Sequence, residues 1–308
     1  MDYDNRTKKG LESMASKITG ASFSIAEETR IRFVALKVKD LQAMVDFYSQ
    51  IAGLDLLKRS EQLAYLGTRQ NQEVLVTLHK ISGHKAKKPT AGLEHMAILL
   101  PDRDTLGSAL QHMLDNGIVI NGLYENAYSQ TFIIHDPEGN GVEFAYDKSA
   151  SQWRTPNAID WKKEKTVKAD QEAILKHQNG KYNSAPAGVS IGHVQFRVND
   201  LADTARFYEK GLGFAVNDDA DPKQLFLAAG DYHHHIGINL TDDDTLAKPA
   251  WDTYGLDYVN FVLPNEAAMD LLRTNLDAQG FKDYEYNGQF HYLQVTDPNG
   301  INLWFALA

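Results

Sequence analysis

The chain has 308 residues, 43% hydrophobic and 23% charged, with no cysteine and a formal net charge of −10, which describes a globular chain long enough for about two domains. This composition excludes disulfides, thiolate ligands and a cysteine nucleophile, so any metal must be held by histidines and carboxylates, and the acidic balance argues against a nucleic-acid partner. No apolar run approaches the roughly 20 residues of a membrane-spanning helix, and the start, Met1 to Asp4 followed by Arg6, Lys8 and Lys9, lacks the apolar centre of a signal peptide, so a cytoplasmic protein is expected.

Residues 1–28 read as a polar leader. A first repeat, 29–148, opens with an alternating strand at Arg32–Val38. Asp40 is then placed to cap a helix that carries Leu41, Met44, Val45 and Tyr48 at helical spacing. Short strands follow at Leu63–Leu66 and Val74–Leu78, and a lysine-rich loop at 81–90. Next come a strand at Gly92–Leu100, a helix at Asp104–Asn116 closed by Gly117, and strands at Gln130–Ile134 and Gly141–Ala145. A polar connecting segment, 149–188, contains Trp153, Trp161 and a helix over Gln171–Gln178. The second repeat, 189–308, has strands at His193–Val198, Gln224–Ala228 and Tyr232–Leu240 around a helix at Leu201–Lys210. Its second part has strands at Leu256–Leu263, His291–Val295 and Ile301–Phe305 around a helix at Glu266–Gln279.

The two halves share their wording. Val38-Lys39-Asp40-Leu41 with Phe47-Tyr48 and Gly53-Leu54 returns as Val198-Asn199-Asp200-Leu201 with Phe207-Tyr208 and Gly213-Phe214. The turn Asp136-Pro137-Glu138-Gly139-Asn140 returns as Asp297-Pro298-Asn299-Gly300. Each half divides again, which gives an α+β chain built as a tandem repeat of paired βαβββ units, four in all. No glycine-rich phosphate loop is present, so a nucleotide site has no support.

This quartered pattern resembles the vicinal oxygen chelate superfamily, which includes glyoxalase I, fosfomycin resistance proteins and extradiol ring-cleaving dioxygenases. The resemblance rests on Ile191-Gly192-His193-Val194, on Phe207-Tyr208 with Gly211-Leu212-Gly213-Phe214, and on Asp136 through Glu143. It covers residues from about 30 to 308. Tyr232-His233-His234-His235-Ile236-Gly237-Ile238-Asn239, together with the Asp136 segment, is most similar to bacterial two-domain catechol 2,3-dioxygenase-like proteins.

The resemblance implies a metal cup shared by two units, with one ligand on the first strand of each and a glutamate on a last strand. The first-strand positions of the four units are Phe33, His95, His193 and Tyr258, and the last-strand positions are Glu143 and Trp304. Pairing the units in chain order leaves both cups incomplete. Pairing the second with the third gives His95, Glu143 and His193, two histidines and a carboxylate, while the other cup receives Phe33, Tyr258 and Trp304 and is expected to be structural. A lone strand histidine is more often a satisfied core residue than a ligand. Three residues on three template positions reverse that reading.

By the same resemblance, a histidine of the run His233-His234-His235 is a general acid/base, and His234 is the best match. Strand alternation would put His233 and His235 on one face and His234 on the other. Ring cleavers usually carry a tyrosine where this chain has Ile133. Tyr124 and Tyr128, upstream of it, are candidate substrate contacts, as are His233 and His235. His135 reads as a strand-end residue near the surface, and Glu94 and Glu138 as solvent-exposed. The implied activity is Fe(II)-dependent extradiol cleavage of a catechol-type aromatic with O2. The alternatives are a glyoxalase I-type lyase or isomerase with Ni(II), Zn(II) or Mn(II), which normally uses a second carboxylate, and a small-molecule-binding member without catalysis. Homo-oligomers are frequent in the superfamily.

Overall fold

Four times along the chain a strand is followed by a helix and three further strands. The computed structural model describes residues 23–153, 165–218, 221–241 and 246–308; most of the leader, and Trp161, lie outside the described residues. The first unit is β1 (Arg30–Val38), α1 (Leu41–Asp46), β2 (Asp55–Arg59), β3 (Leu63–Thr68) and β4 (Glu73–Lys80). The second is β5 (Gly92–Leu100), α2 (Arg103–Asp115), β6 (Gly122–Glu125), β7 (Ser129–His135) and β8 (Gly141–Asp147). The connection carries β9 (Val167–Lys168) and α3 (Gln171–Leu175). The third unit is β10 (Ser190–Val198), α4 (Leu201–Arg206), β11 (Ala215–Asp218), β12 (Gln224–Ala228) and β13 (Ile236–Leu240). The fourth is β14 (Gly255–Leu263), α5 (Glu266–Ala278), β15 (Tyr284–Asn287), β16 (Tyr292–Thr296) and β17 (Asn302–Leu307). Among the described residues no helix is long and apolar enough to cross a membrane.

Each unit's helix starts on a side-chain cap. The Asp40 carboxylate accepts the Gln42 and Ala43 N–H groups, and Asp102, Asp200 and Asn265 accept those of Thr105, Asp203 and Ala268. The helices of the first and third units then widen into π turns at Phe47–Ile51 and Phe207–Gly211, which carry Tyr48 and Tyr208.

The strands form two sheets, and the units are not paired in chain order. One sheet runs β15-β16-β17-β14-β1-β4-β3-β2, joining the fourth unit to the first. The other runs β11-β12-β13-β10-β5-β8-β7-β6-β9, joining the third to the second. The seams are antiparallel: β14 against β1, and β10 against β5. Within the connection, β9 pairs with β6 at the sheet edge and Tyr182 donates from its hydroxyl to the Ala52 carbonyl before the chain returns to β10 in mid-sheet. Alternation then sorts the side chains. Met96, Ile98, Val142, Phe144, Val194 and Phe196 enter a core drawn from all four units. His95, Glu143 and His193 take the opposite face, the interior of the cup.

The duplicated turn supplies a second set of ties. The hydroxyl of Tyr48, in the first unit, donates to Asp136 Oδ2 in the second (3.1 Å), and that of Tyr208, in the third, donates to Asp297 Oδ2 in the fourth (3.3 Å). Each aspartate also accepts two turn amides through Oδ1, from Glu138 and Asn140 in one copy and from Asn299 and Ile301 in the other. Burial raises the pKa of both aspartates, and these hydrogen bonds pull against it. Glu138, read as exposed, is half-buried; its carboxylate accepts the Lys39 and Asp40 N–H groups, a cross-unit contact that local sequence does not reveal.

Replacing Tyr48 by Phe keeps the ring and removes one of the two donors to buried Asp136 Oδ2, leaving the Asn140 side-chain amide as the other. The expected cost is about 1–3 kcal/mol in urea unfolding, against less than about 0.5 kcal/mol for Tyr124→Phe at an exposed position.

Candidate metal centre

Three adjacent strands bring three donors to one point. His95 is on β5, His193 on its antiparallel neighbour β10, and Glu143 on its parallel neighbour β8. His193 lies in a bulge: Ile191 pairs with Ile98 and Val194 with Met96, so Gly192 and His193 together face Ala97. Gly141, directly across from His95, has to be glycine, since a Cβ there would come within 2.8 Å of the His95 Cβ and 2.4 Å of the Glu94 carbonyl oxygen. That close approach lets β8 deliver Glu143 beside the two rings.

His95 Nε2 lies 3.2 Å from His193 Nε2 and 3.3 Å from Glu143 Oε2, and His193 Nε2 lies 3.8 Å from Glu143 Oε1. All three donor atoms fall within 4.8 Å of one another. Burial governs their charge. Desolvation, with a smaller effect of His135, lowers His95 to about 4, and desolvation followed by the neighbouring His95, His233 and His235 lowers His193 well below the usual range. Glu143 is pushed up to about 8, by desolvation first and by Asp147 second. At neutral pH the two imidazoles therefore keep their lone pairs and the carboxyl holds a proton. The arrangement is costly in itself and is relieved by a divalent cation, which both lone-pair nitrogens and a deprotonated Glu143 would bind.

The counterpart cup contains no such set. Phe33 meets Tyr258 edge-on at 5.8 Å, Tyr258 stacks on Trp304 at 4.4 Å, and Tyr292 stacks on the other side of Trp304 at 5.3 Å. The equivalent positions are thus filled with rings.

The histidine run is not on a strand. β13 begins at Ile236, and His233, His234 and His235 form the irregular approach to it, so strand alternation does not apply to them. His233 and His234 face each other, Nδ1 to Nδ1 at 2.8 Å, and the His234 ring lies 4.3 Å from the His193 ring. Tyr128 stacks on His233 at 4.5 Å and meets His234 edge-on at 5.9 Å. His235 is turned toward the backbone instead, and its Nδ1 accepts the Ala229 N–H at 3.2 Å. Tyr124 stands exposed on β6, over Gly122 and two strands out from Glu143. Tyr128, His233 and His234 are therefore gathered beside the triad; His235 stands close to His193 but turns its Nδ1 to the Ala229 amide, and Tyr124 lies two strands out.

Ile133 pairs directly with Glu143 across β7 and β8 and sets an apolar side chain beside it. His135 is exposed at the end of β7, with Nδ1 2.9 Å from Asn121 Oδ1. Glu94, expected in solvent, is half-buried and accepts a hydrogen bond from Asn239 Nδ2 at 2.9 Å.

Sequence reading missed three residues around this site. Asp147, four positions after Glu143 on the same face of β8, accepts the Tyr232 hydroxyl at 2.8 Å and lies 3.1 Å from His233 Nε2. Its parity with Glu143 was the available signal. Asn217 donates from Nδ2 to the carbonyls of Tyr232 and His233, at 2.7 and 2.9 Å. Gln195, buried opposite His95, lies across Gly237, where a Cβ would overlap its Oε1 at 1.8 Å.

The chain matches the family model described as Glyoxalase/Bleomycin resistance protein/Dioxygenase superfamily over residues 30–144 and 190–305. It is 33% identical over 289 residues to a protein of Bacillus subtilis (strain 168) named catechol-2,3-dioxygenase, covering 92% of this chain and 99% of that one. Among solved structures it resembles a putative dioxygenase from Bacillus subtilis subsp. subtilis str. 168, at TM-score 0.61 and 13% identity, covering 93% of this chain and 86% of the other. It also resembles a glyoxalase I mutant from Zea mays, at TM-score 0.55 and 17% identity, covering 91% and 92%. At these identities the structural likeness concerns the fold.

The raised Glu143 pKa fixes a pH dependence. A carboxyl whose folded-state pKa exceeds its unfolded value stabilises fully below the unfolded value, near 4.5, and its contribution is lost as the pH rises through about 8. His95, lowered from 6.5 to about 4, acts in the opposite sense, but only below about 6.5. Chelator-treated protein should therefore lose stability between about pH 6.5 and 8, by up to about 1 kcal/mol per pH unit, and Glu143→Gln should flatten the slope in urea titrations.

Proposed function

The chain belongs to the glyoxalase/bleomycin resistance protein/dioxygenase superfamily, and within it we propose that this protein is an extradiol ring-cleaving dioxygenase acting on a catechol-type aromatic with O2. The observation that carries the reading is the convergence of two histidines and one carboxylate, the donor set suited to a non-haem Fe(II) oxygenase. The full-length similarity to the B. subtilis catechol-2,3-dioxygenase supports it.

The donors fit an ion. Separations of 3.2 to 3.8 Å are those of neighbouring ligands around one centre with bonds of roughly 2.1 Å. Fe(II) bound there would supply a Lewis-acidic, redox-active centre for adjacent substrate oxygens and O2. His95, His193 and Glu143 hold that position. With one carboxylate as the sole anionic ligand, the site stays cationic and favours the substrate as an anion. His234, beside His193, takes the proton of a substrate hydroxyl and returns it later. Tyr128 and His233 form the adjoining wall, Ile133 keeps the Glu143 side apolar, and Tyr124 stands at the outer rim. Isomerase chemistry of the glyoxalase type is less well served. Among the described residues no second carboxylate joins the triad, and Asp147 is engaged with Tyr232 and His233.

Anaerobic loading with Fe(II), followed by catechol and O2, should give a yellow ring-fission product that disappears in Glu143→Ala. Tight Fe(II) binding with no oxygen uptake across a panel of catechols would sink the assignment. Because Glu143 holds its proton up to about pH 8, metal binding should release about one proton near neutrality. Its apparent affinity should fall about tenfold per pH unit below 8, read by calorimetry in buffers of different ionisation enthalpy.

A further inference from the structure

We propose that Asp147 and His233 are positioning residues that fix His234 in a single tautomer, with its hydrogen on Nδ1 and an unprotonated Nε2 presented beside the triad. The inference rests on the reading of His234 as the group that handles protons, and it gives Asp147 and His233 a role in orienting that group.

The chain of contacts starts on β8. Asp147 Oδ2 accepts the Tyr232 hydroxyl at 2.8 Å, and Asp147 Oδ1 lies 3.1 Å from His233 Nε2. Carboxylate oxygens accept, so the hydrogen sits on His233 Nε2. The proposed relay gives His233 this single N–H, so that its Nδ1 is the acceptor, 2.8 Å from His234 Nδ1. His234 must then donate from Nδ1, and its Nε2 keeps the lone pair. The geometry is held from several sides. Asn217 pins the carbonyls of Tyr232 and His233, Tyr128 stacks on the His233 ring at an interplanar angle of 22°, and Ala229 donates to His235. Both rings are buried, at 2% and 5% exposure, so solvent offers little to compete with the relay.

The consequence is mechanistic. A lone pair on Nε2 is ready when a substrate hydroxyl arrives: the O–H bond breaks, its electron pair stays on the oxygen, and a new N–H bond forms on His234. The resulting cation is stabilised through His233 by Asp147, and the proton returns from the same nitrogen. A carboxylate that orients an imidazole and stabilises its cation is a general device of acid/base sites.

The test is Asp147→Asn. The Tyr232 hydroxyl will hold the amide oxygen, so the NH2 turns to His233 Nε2, and both histidines must invert their tautomers. Two-bond proton–nitrogen NMR spectra of 15N-histidine-labelled protein loaded with Zn(II) report this without turnover. The native protein is expected to show a protonated Nδ1 and an unprotonated Nε2 at His234, and Asp147→Asn the reverse. In the Fe(II) enzyme, kcat should fall roughly 100-fold or more in that variant with KM changed less than about threefold. His234 found with its hydrogen on Nε2 in the native protein, or unaltered spectra and kcat in Asp147→Asn, would overturn the relay. Absence of ring cleavage in the native enzyme with the expected tautomer would instead count against the dioxygenase reading alone.

Discussion

The antiparallel seam between β5 and β10 is the constraint on which the rest depends. It joins strands that lie in different halves of the chain, and it sets His95 beside His193 with their Nε2 atoms 3.2 Å apart. Two buried imidazoles and a buried carboxyl at this spacing oppose folding, because each loses hydration and gains no permanent countercharge. The surrounding core of Met96, Ile98, Phe144, Val194 and Phe196 has to hold the strands in register against that cost. The lowered histidines and the raised Glu143 express the same tension electrostatically.

A second pattern crosses the first. Sheet pairing links the second unit to the third and the first to the fourth, whereas the tyrosine–aspartate ties link the first to the second and the third to the fourth. Each unit is therefore held to two others by different physics, one through backbone ladders and the other through buried side-chain hydrogen bonds. This gives the duplicated Asp-Pro turn a role beyond reversing the chain. Its aspartate anchors the turn amides with one oxygen and receives a neighbouring unit's tyrosine with the other.

Much of this was legible in the sequence, and the reason is the duplication. With four copies aligned, the positions of His95, His193, Glu143, Phe33, Tyr258 and Trp304 could be compared, and only one pairing of units completed a ligand set. The cross-boundary sheet bears out that pairing. The second strand of each unit, β2, β6, β11 and β15, was not legible, because these short strands lie at or near sheet edges and lack a clear apolar alternation. The histidine run departs from expectation for a different reason. Period-two alternation is a property of strands, and His233 to His235 lie before β13 with bends at His233 and His235. Glu138 and Glu94 look like surface residues locally and acquire partners only when distant segments meet them. Asp147 carried a usable signal in its parity with Glu143, but a half-buried strand-end aspartate is usually just solvated.

The interleaved order of the units also bears on synthesis. His95 and Glu143 leave the ribosome well before His193, and β1 waits for β14 across more than half the chain, so for much of translation both central seams are open edges. A nascent chain carries two thirds of a ligand set and no means of closing it. On the proposed metal-binding reading, cation capture would be a late event that coincides with the joining of β10 to β5, since that seam brings His193 to His95 and Glu143.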